Sequence, residues 1–188
     1  GRVLRRVFER SFFLSKELRA EGGIGRAQAS VTAAAVALAN KLFDVKGRTV
    51  LVVGTGEMAS GIVRALRAGG TSDLYVASRT EARAAEFAQR EGGKPCAIHK
   101  LPEHLVLADI VLVSAAAPNY IIGPAQARAA AEQRRGRALC LIDISVPRNV
   151  DPAAGEVEDA FLYDIDDLEE VAKEGRRERE KVAERWRP

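Results

Sequence analysis

The sequence predicts an α/β fold: a doubly wound, mostly parallel sheet with flanking N-terminal helices and a truncated C-terminal helix. Three observations carry this. Between residues 48 and 165, short apolar runs alternate with helical stretches, as in successive βαβ units. Three of the runs, "RTVLVVG" (48–54), "DIVLVSAA" (109–116) and "ALCLIDIS" (138–145), are continuously apolar, as strands covered on both faces are. A glycine turn follows the first run directly. Right-handed crossovers then leave few topologies.

Residues 2–20 place Leu4, Val7, Phe8, Phe12 and Leu18 at helical spacing. The stretch "EGGIGRAQ" (21–28) interrupts that pattern with three glycines. A second helix is expected over 30–43, with Ser30 as its N-cap and alanines permitting close packing. After the first strand, residues 57–68 read as a helix. "DLYVASR" (73–79) is the second strand, and "TEARAAEFAQREGG" (80–93) is a helix ended by its glycines. "KPCAIHK" is a short strand, "PEHLVLA" a short helix or turn, and "DIVLVSAA" the fourth strand. Residues 123–135 form a helix with Pro124 near its start. "ALCLIDIS" is the fifth strand and "AFLYDI" (160–165) a short sixth.

The tail from Asp166 is a charged helix with few apolar positions: Leu168, Val171, Val182 and Trp186. Such a helix buries too little to stand alone, so it is expected to fray or to pair with another chain. The division is therefore 1–45 for the N-terminal helices, 46–163 for the sheet domain and 164–188 for the charged C-terminal helix.

With 188 residues, 47% hydrophobic and 29% charged, the composition is that of an ordinary globular chain. The net charge of +3 is spread among acidic residues, so it gives no sign of a nucleic-acid surface. No apolar run approaches the roughly 18 residues that span a bilayer, and "GRVLRRVFERSF" carries no signal-peptide core. Cys96 and Cys140 lie far apart in no CxxC pattern. Cys140 sits in an apolar run and reads as a buried, inert thiol. A reducing, cytoplasmic compartment fits that usage.

Gly54-Thr55-Gly56-Glu57-Met58-Ala59 matches G-x-G-x-x-G/A between a buried strand and a helix, the context in which this turn binds a dinucleotide in a Rossmann-type sheet. Gly54 makes the tight turn, Gly56 admits a pyrophosphate, and Ala59 lets helix and strand pack closely. The helix N-terminus then offers unpaired N–H groups to phosphate. The bland reading is a βα turn that binds nothing.

The end of the second strand indicates which dinucleotide. NAD-binding chains place an Asp or Glu there for the ribose 2′-hydroxyl. Here stand Ser78, Arg79 and Thr80, with Arg83 one turn on. A guanidinium and two hydroxyls suit a 2′-phosphate, which favours NADP(H); otherwise Arg79 and Arg83 are solvated helix-start charges. The fourth strand ends in Ser114, Ala115 and Ala116, small residues that leave room for a ribose or nicotinamide. Backbone near Ile144 and Val146, at the end of the fifth strand, is expected to approach the nicotinamide from the other side. The bland reading of both segments is ordinary loop.

No acceptor chemistry accompanies this cradle. His99, His104 and Cys96 form no metal pattern, and neither G-x-S-x-G nor H-E-x-x-H occurs. Asp164, Asp166 and Asp167 read as helix caps. No catalytic residue and no metal ligand is assigned.

The stretches "GIGRAQASVTAAAVALA", "VLVVGTGEM", "ASRTEARA", "ADIVLVSAAAP", "LIDISVPRNVDP" and "FLYDIDDL" resemble the glutamyl-tRNA reductases, in the family's order and over most of residues 20–170. The resemblance implies a three-part enzyme: a catalytic domain, this NADPH domain, and a long helix leading to a dimerisation domain. It implies cofactor roles for Gly54–Ala59, Ser78–Thr80 and the loop at 114–118, with Ala59 in place of the third glycine. It places the catalytic cysteine in the first part, matched by neither Cys96 nor Cys140, so this chain looks like an excised cofactor domain, inactive alone. The implied reaction is capture of glutamyl-tRNA as a cysteine thioester and hydride transfer from NADPH, giving glutamate-1-semialdehyde for tetrapyrrole synthesis. The implied partners are glutamyl-tRNA, through the other domains, and a second copy in a homodimer. Two other readings stand beside it: a non-catalytic NADPH-binding regulatory module, and a dehydrogenase of the shikimate type. The latter shares the Ser-Arg-Thr clamp but needs a Lys–Asp pair not found in this sequence.

Overall fold

The computed structural model describes residues 23–185. The helix expected over 2–20 and Trp186 lie outside the described residues. Six strands form one sheet: β1 (Val50–Val53), β2 (Leu74–Ser78), β3 (Lys94–Ala97), β4 (Ile110–Val113), β5 (Leu139–Asp143) and β6 (Ala160–Asp164). Their order is β3-β2-β1-β4-β5-β6 and every pairing is parallel, so the sheet is a Rossmann-like, wholly parallel one. The chain winds outward from β1 to β3, then returns to β4 beside β1 and winds the other way. Val53 pairs with both Ala77 and Val113, and Val113 with Asp143. The carboxyl ends of β2, β1, β4 and β5 are therefore level, and the residues that follow them meet at one edge.

The continuous apolar strands are buried on both faces, as their sequence requires. On one face α1 (Gly23–Leu42), α2 (Glu57–Ala68), α3 (Glu81–Glu91) and α6 (Ile165–Arg185) cover Val50, Val52, Val76, Ile110, Leu112 and Ile142. On the other, α4 (Leu101–Leu107), α5 (Pro124–Arg134) and a 3-10 turn at Pro152–Glu156 cover Leu51, Val53, Val111, Val113 and Leu141. Below the sheet, the buried Arg134 guanidinium pairs with Asp109 at 3.2 Å and donates to the carbonyls of Val106 and Ala108.

Two expectations are corrected. The helix expected from Ser30 begins at Gly23, and Ser30 lies inside it rather than capping it. A glycine inside a helix costs only about 1 kcal/mol, and tertiary packing overrides it here. The stripe Val31, Ala34, Ala35, Leu38 and Ala39 is buried, and α1 packs between α2 and α6. Gly61 of α2 keeps the approach close: a Cβ there would stand 3.3 Å from the Thr32 hydroxyl. The tail, expected to fray or to pair with another chain, is instead anchored within this chain at its start, where Leu168 and Ala172 are buried against the same core.

Two other helix ends follow the sequence signals. Gly92 ends α3 with φ +73°, which glycine adopts without strain. Asp164 caps α6 by accepting from the backbone N–H of Asp166 at 2.8 Å and of Asp167 at 3.1 Å, and the Asp167 carboxylate accepts from the Asp164 N–H at 2.8 Å, a reciprocal box. Glu91 ties α3 to α2. Its buried carboxylate accepts from the Ser60 hydroxyl at 2.5 Å, Arg64 at 2.9 Å and Arg90 at 2.9 Å. Burial alone would raise its pKa, but these hydrogen bonds outweigh it and hold the group at about 2.

Candidate functional site

The level carboxyl ends of β2, β1 and β4 open into a cleft of about 480 Å³, at the point where the strand order reverses, as open α/β sheets place their ligand sites. Its floor is the glycine turn. Gly54 has φ +100°, and a Cβ there would stand 2.1 Å from the Ser114 carbonyl oxygen. The β1–α2 turn and the loop after β4 thus touch backbone to backbone. A Cβ on Gly56 would lie 2.5 Å from the Ser114 hydroxyl. Gly56 is also the N-cap of α2, and no side chain accepts from the first turn. Those N–H groups are left for a ligand, in contrast to the capped start of α6.

The residues singled out from the sequence divide in three. Gly54, Thr55, Gly56, Ser78, Arg79, Thr80, Arg83, Ser114, Ala115 and Ala116 all line the cleft. Ala59 is fully buried and Met58 half-buried against the helix-covered core, so they seat α2 rather than face the cleft, while Glu57 is exposed in its first turn. Ile144 and Val146 do not line it. Ile144 turns into the core, and Val146 is exposed at the tip of its loop. The cleft gains apolar lining from Val53, Ile98, Ala117 and Ile121.

Across the cleft, Arg79 reaches from the end of β2 to the Ala116 carbonyl at 3.3 Å. Arg79 and Arg83 are both exposed, so two guanidinium groups stand at the β2 side with no carboxylate paired to them among the described residues.

Three residues that sequence reasoning passed over hold the opposite wall. Asp143 ends β5 with its side chain buried. It accepts from the backbone N–H of Ser145 at 3.0 Å, of Asn149 at 2.7 Å and of Val150 at 2.8 Å. The Ser145 hydroxyl accepts from Ala115 N–H at 3.2 Å. Asn149, with no exposure at all, donates through Nδ2 to the Ala117 carbonyl at 2.9 Å. The available signal was an aspartate closing a wholly apolar strand, since a buried polar group must find partners.

Neither thiol is activated. Burial pushes the Cys140 thiol up to about 12 and raises that of the half-buried Cys96. His99 is exposed, and His104 lies edge-on to Tyr75 with ring centroids 4.9 Å apart. Among the described residues, no group of His, Cys, Asp or Glu is placed to hold a metal ion, and no helix is long and apolar enough to cross a membrane.

The family model described as shikimate / quinate 5-dehydrogenase matches residues 37–171, from within α1 to the start of α6. The chain belongs to that family. Within it, the resemblance to glutamyl-tRNA reductases is borne out. The chain is 40% identical over 184 residues to the glutamyl-tRNA reductase of Alkalilimnicola ehrlichii, covering 97% of this chain and 41% of that protein. The solved glutamyl-tRNA reductase of Methanopyrus kandleri superposes with TM-score 0.78 at 35% identity, over 98% of this chain and 47% of that one. The chain thus spans less than half the length of these two relatives. A solved nucleotide binding domain of glutamyl-tRNA reductase from Thermoplasma volcanium shares the fold, with TM-score 0.61 at 18% identity, over 80% of this chain and 96% of that one.

Proposed function

We propose that this chain is the NADPH-binding part of a glutamyl-tRNA reductase. In this reading it holds the cofactor in the cleft while parts of the enzyme beyond this chain supply the substrate. One observation carries the proposal: an uncapped glycine turn faces Arg79 and Arg83 at the position where an NAD site needs a carboxylate. The residues fit the cofactor. The backbone of the β4 loop leaves Gly54 no room for a Cβ, while only the rotatable Ser114 hydroxyl stands close to Gly56; the free N–H groups of α2 suit a pyrophosphate, and the two arginines suit a 2′-phosphate. NADPH, when bound, supplies a hydride; in the parent enzyme this reduces glutamyl-tRNA to glutamate-1-semialdehyde in tetrapyrrole synthesis. The role of this chain's own residues is to bind and orient. Glutamyl-tRNA, and a second subunit in a homodimer, would engage the parts beyond this chain. A cytoplasmic setting accords with two unpaired thiols.

Titration calorimetry with NADPH and NADH tests the reading. NADPH should bind at least about tenfold more tightly, because charge-assisted hydrogen bonds contribute about 1.5–3 kcal/mol each. Arg79→Ala should remove most of that preference by weakening NADPH alone. Equal affinities in the wild type would sink the assignment.

A further inference from the structure

We propose that Asn149, seated by Asp143, is the positioning residue for the wall of the cleft opposite Arg79, and through that wall for the nicotinamide half of the cofactor. The proposal rests on the NADPH reading above. β4 ends at Val113, yet the chain beyond it stays fixed, because side chains replace the missing strand neighbour. Asn149 treats Ala117 as a paired strand would: Nδ2 donates to its carbonyl at 2.9 Å and Oδ1 accepts from its N–H at 3.4 Å. Nδ2 also donates to the Asn119 carbonyl at 3.2 Å. Two residues earlier, the Ser145 hydroxyl accepts from Ala115 N–H. Ala115 and Ala117 thus turn their polar backbone groups toward the β5 loop. Ala116 between them turns its carbonyl the other way, to Arg79 across the cleft, following the alternation of an extended chain.

Asp143 holds this arrangement from below. Its carboxylate is buried, pairs with no cation among the described residues, and is satisfied by three backbone N–H groups of the loop that carries Ser145 and Asn149. The wall also abuts the glycine turn, since the Ser114 carbonyl fills the space where Gly54 would carry a Cβ. A small shift of the wall therefore changes the cleft itself.

The direction of the effect follows from the layout. With a 2′-phosphate held by Arg79 and Arg83 beside β2, the pyrophosphate lies over β1 and the other half of the dinucleotide reaches the wall after β4. Loosening Asn149 should weaken that half and spare the phosphate-bearing adenosine half.

The test titrates the whole chain with NADPH and with 2′,5′-ADP, which lacks the nicotinamide, and reads the nicotinamide emission of bound NADPH. The variants are Asn149→Asp, which keeps the size and removes both donors, and Ser145→Ala, a milder change that leaves one backbone N–H unpaired. Asn149→Asp should lose about tenfold or more in NADPH affinity, with altered emission, while 2′,5′-ADP stays within about twofold of the wild type. Ser145→Ala should show the same split at smaller amplitude, and Ser145→Thr, which keeps the hydroxyl, should restore it. Equal weakening of both ligands would mean a merely structural role and overturns the proposal; so does unchanged NADPH affinity and emission in both variants. A wild-type chain that binds neither ligand overturns the cofactor reading itself, and this proposal with it.

Discussion

A Cβ on Gly54 would meet the Ser114 carbonyl at 2.1 Å in a backbone with φ +100°, whereas one on Gly56 would meet only the Ser114 hydroxyl at 2.5 Å. The first obstacle is rigid main chain; the second is the end of a side chain that can rotate. The two substitutions should therefore separate. Gly54→Ala should cost several kcal/mol of stability, summing backbone strain and overpacking at about 1–3 kcal/mol each. Gly56→Val should leave the melting temperature within a few degrees and abolish NADPH binding by filling the space a pyrophosphate needs. Thermal melts beside NADPH titrations check both, and a Gly56→Val chain that binds like the wild type would reduce the turn to a structural one. These glycines and Arg79 were legible because each is tied to a motif with its own chemistry. Asp143, Ser145 and Asn149 were not, since a polar residue after a strand looks like any loop. Only burial distinguishes them, and burial here depends on the β4 loop packing against the β5 loop. The Ile144 side chain turns into the core because strand period 2 continues one residue past β5, which leaves only its backbone for the cleft side.

At the scale of elements, the strands were the most legible part, because a run apolar at every position has few places to go except a strand covered on both faces. The N-terminal helix was the least legible. Its first residues include Gly23 and Gly25, which intrinsic propensity penalises, and the packing that outweighs them comes from α2 and α6, far away in sequence. The α2–α3 link makes an element-scale prediction. Glu91 has its pKa lowered from 4.5 to about 2. The unfolded chain binds the proton more readily, so this contribution is fully present above about pH 4.5 and is lost as pH falls toward 2. Glu91→Gln should cost about 2 kcal/mol near neutrality, the scale of a buried hydrogen bond to a charged group, and should flatten the stability profile within that window. Denaturant melts at stepped pH measure this, and parallel acid profiles for the two proteins would count against it.

For the molecule as a whole, the decisive comparison is between what the cleft offers and what a reduction needs. Hydride transfer requires an acyl carbon held about 3–3.5 Å from the donor, and thioester chemistry requires a thiol with a lowered pKa. The two thiols here are shifted the wrong way by burial, Cys140 to about 12. Cys140 is moreover on β5 under the helices, where a bulky aminoacyl group has no access. In the proposed reading, the described residues would therefore seat the hydride donor without supplying the nucleophile. The chain also covers only 41% and 47% of two glutamyl-tRNA reductases it resembles, which leaves ample sequence in such relatives for the missing chemistry. We expect this chain to bind NADPH and yet to oxidise none of it in the presence of glutamyl-tRNA. Turnover should appear when a separately made N-terminal portion of a glutamyl-tRNA reductase is added, provided the two parts associate, and should then vanish with Gly56→Val in this chain. The assay follows NADPH absorbance against glutamyl-tRNA, with binding measured in parallel so that a loss of turnover is read beside intact affinity. Turnover by this chain alone that Cys96→Ser or Cys140→Ser abolishes would show that one of these thiols is the nucleophile and that the division of labour drawn here is wrong.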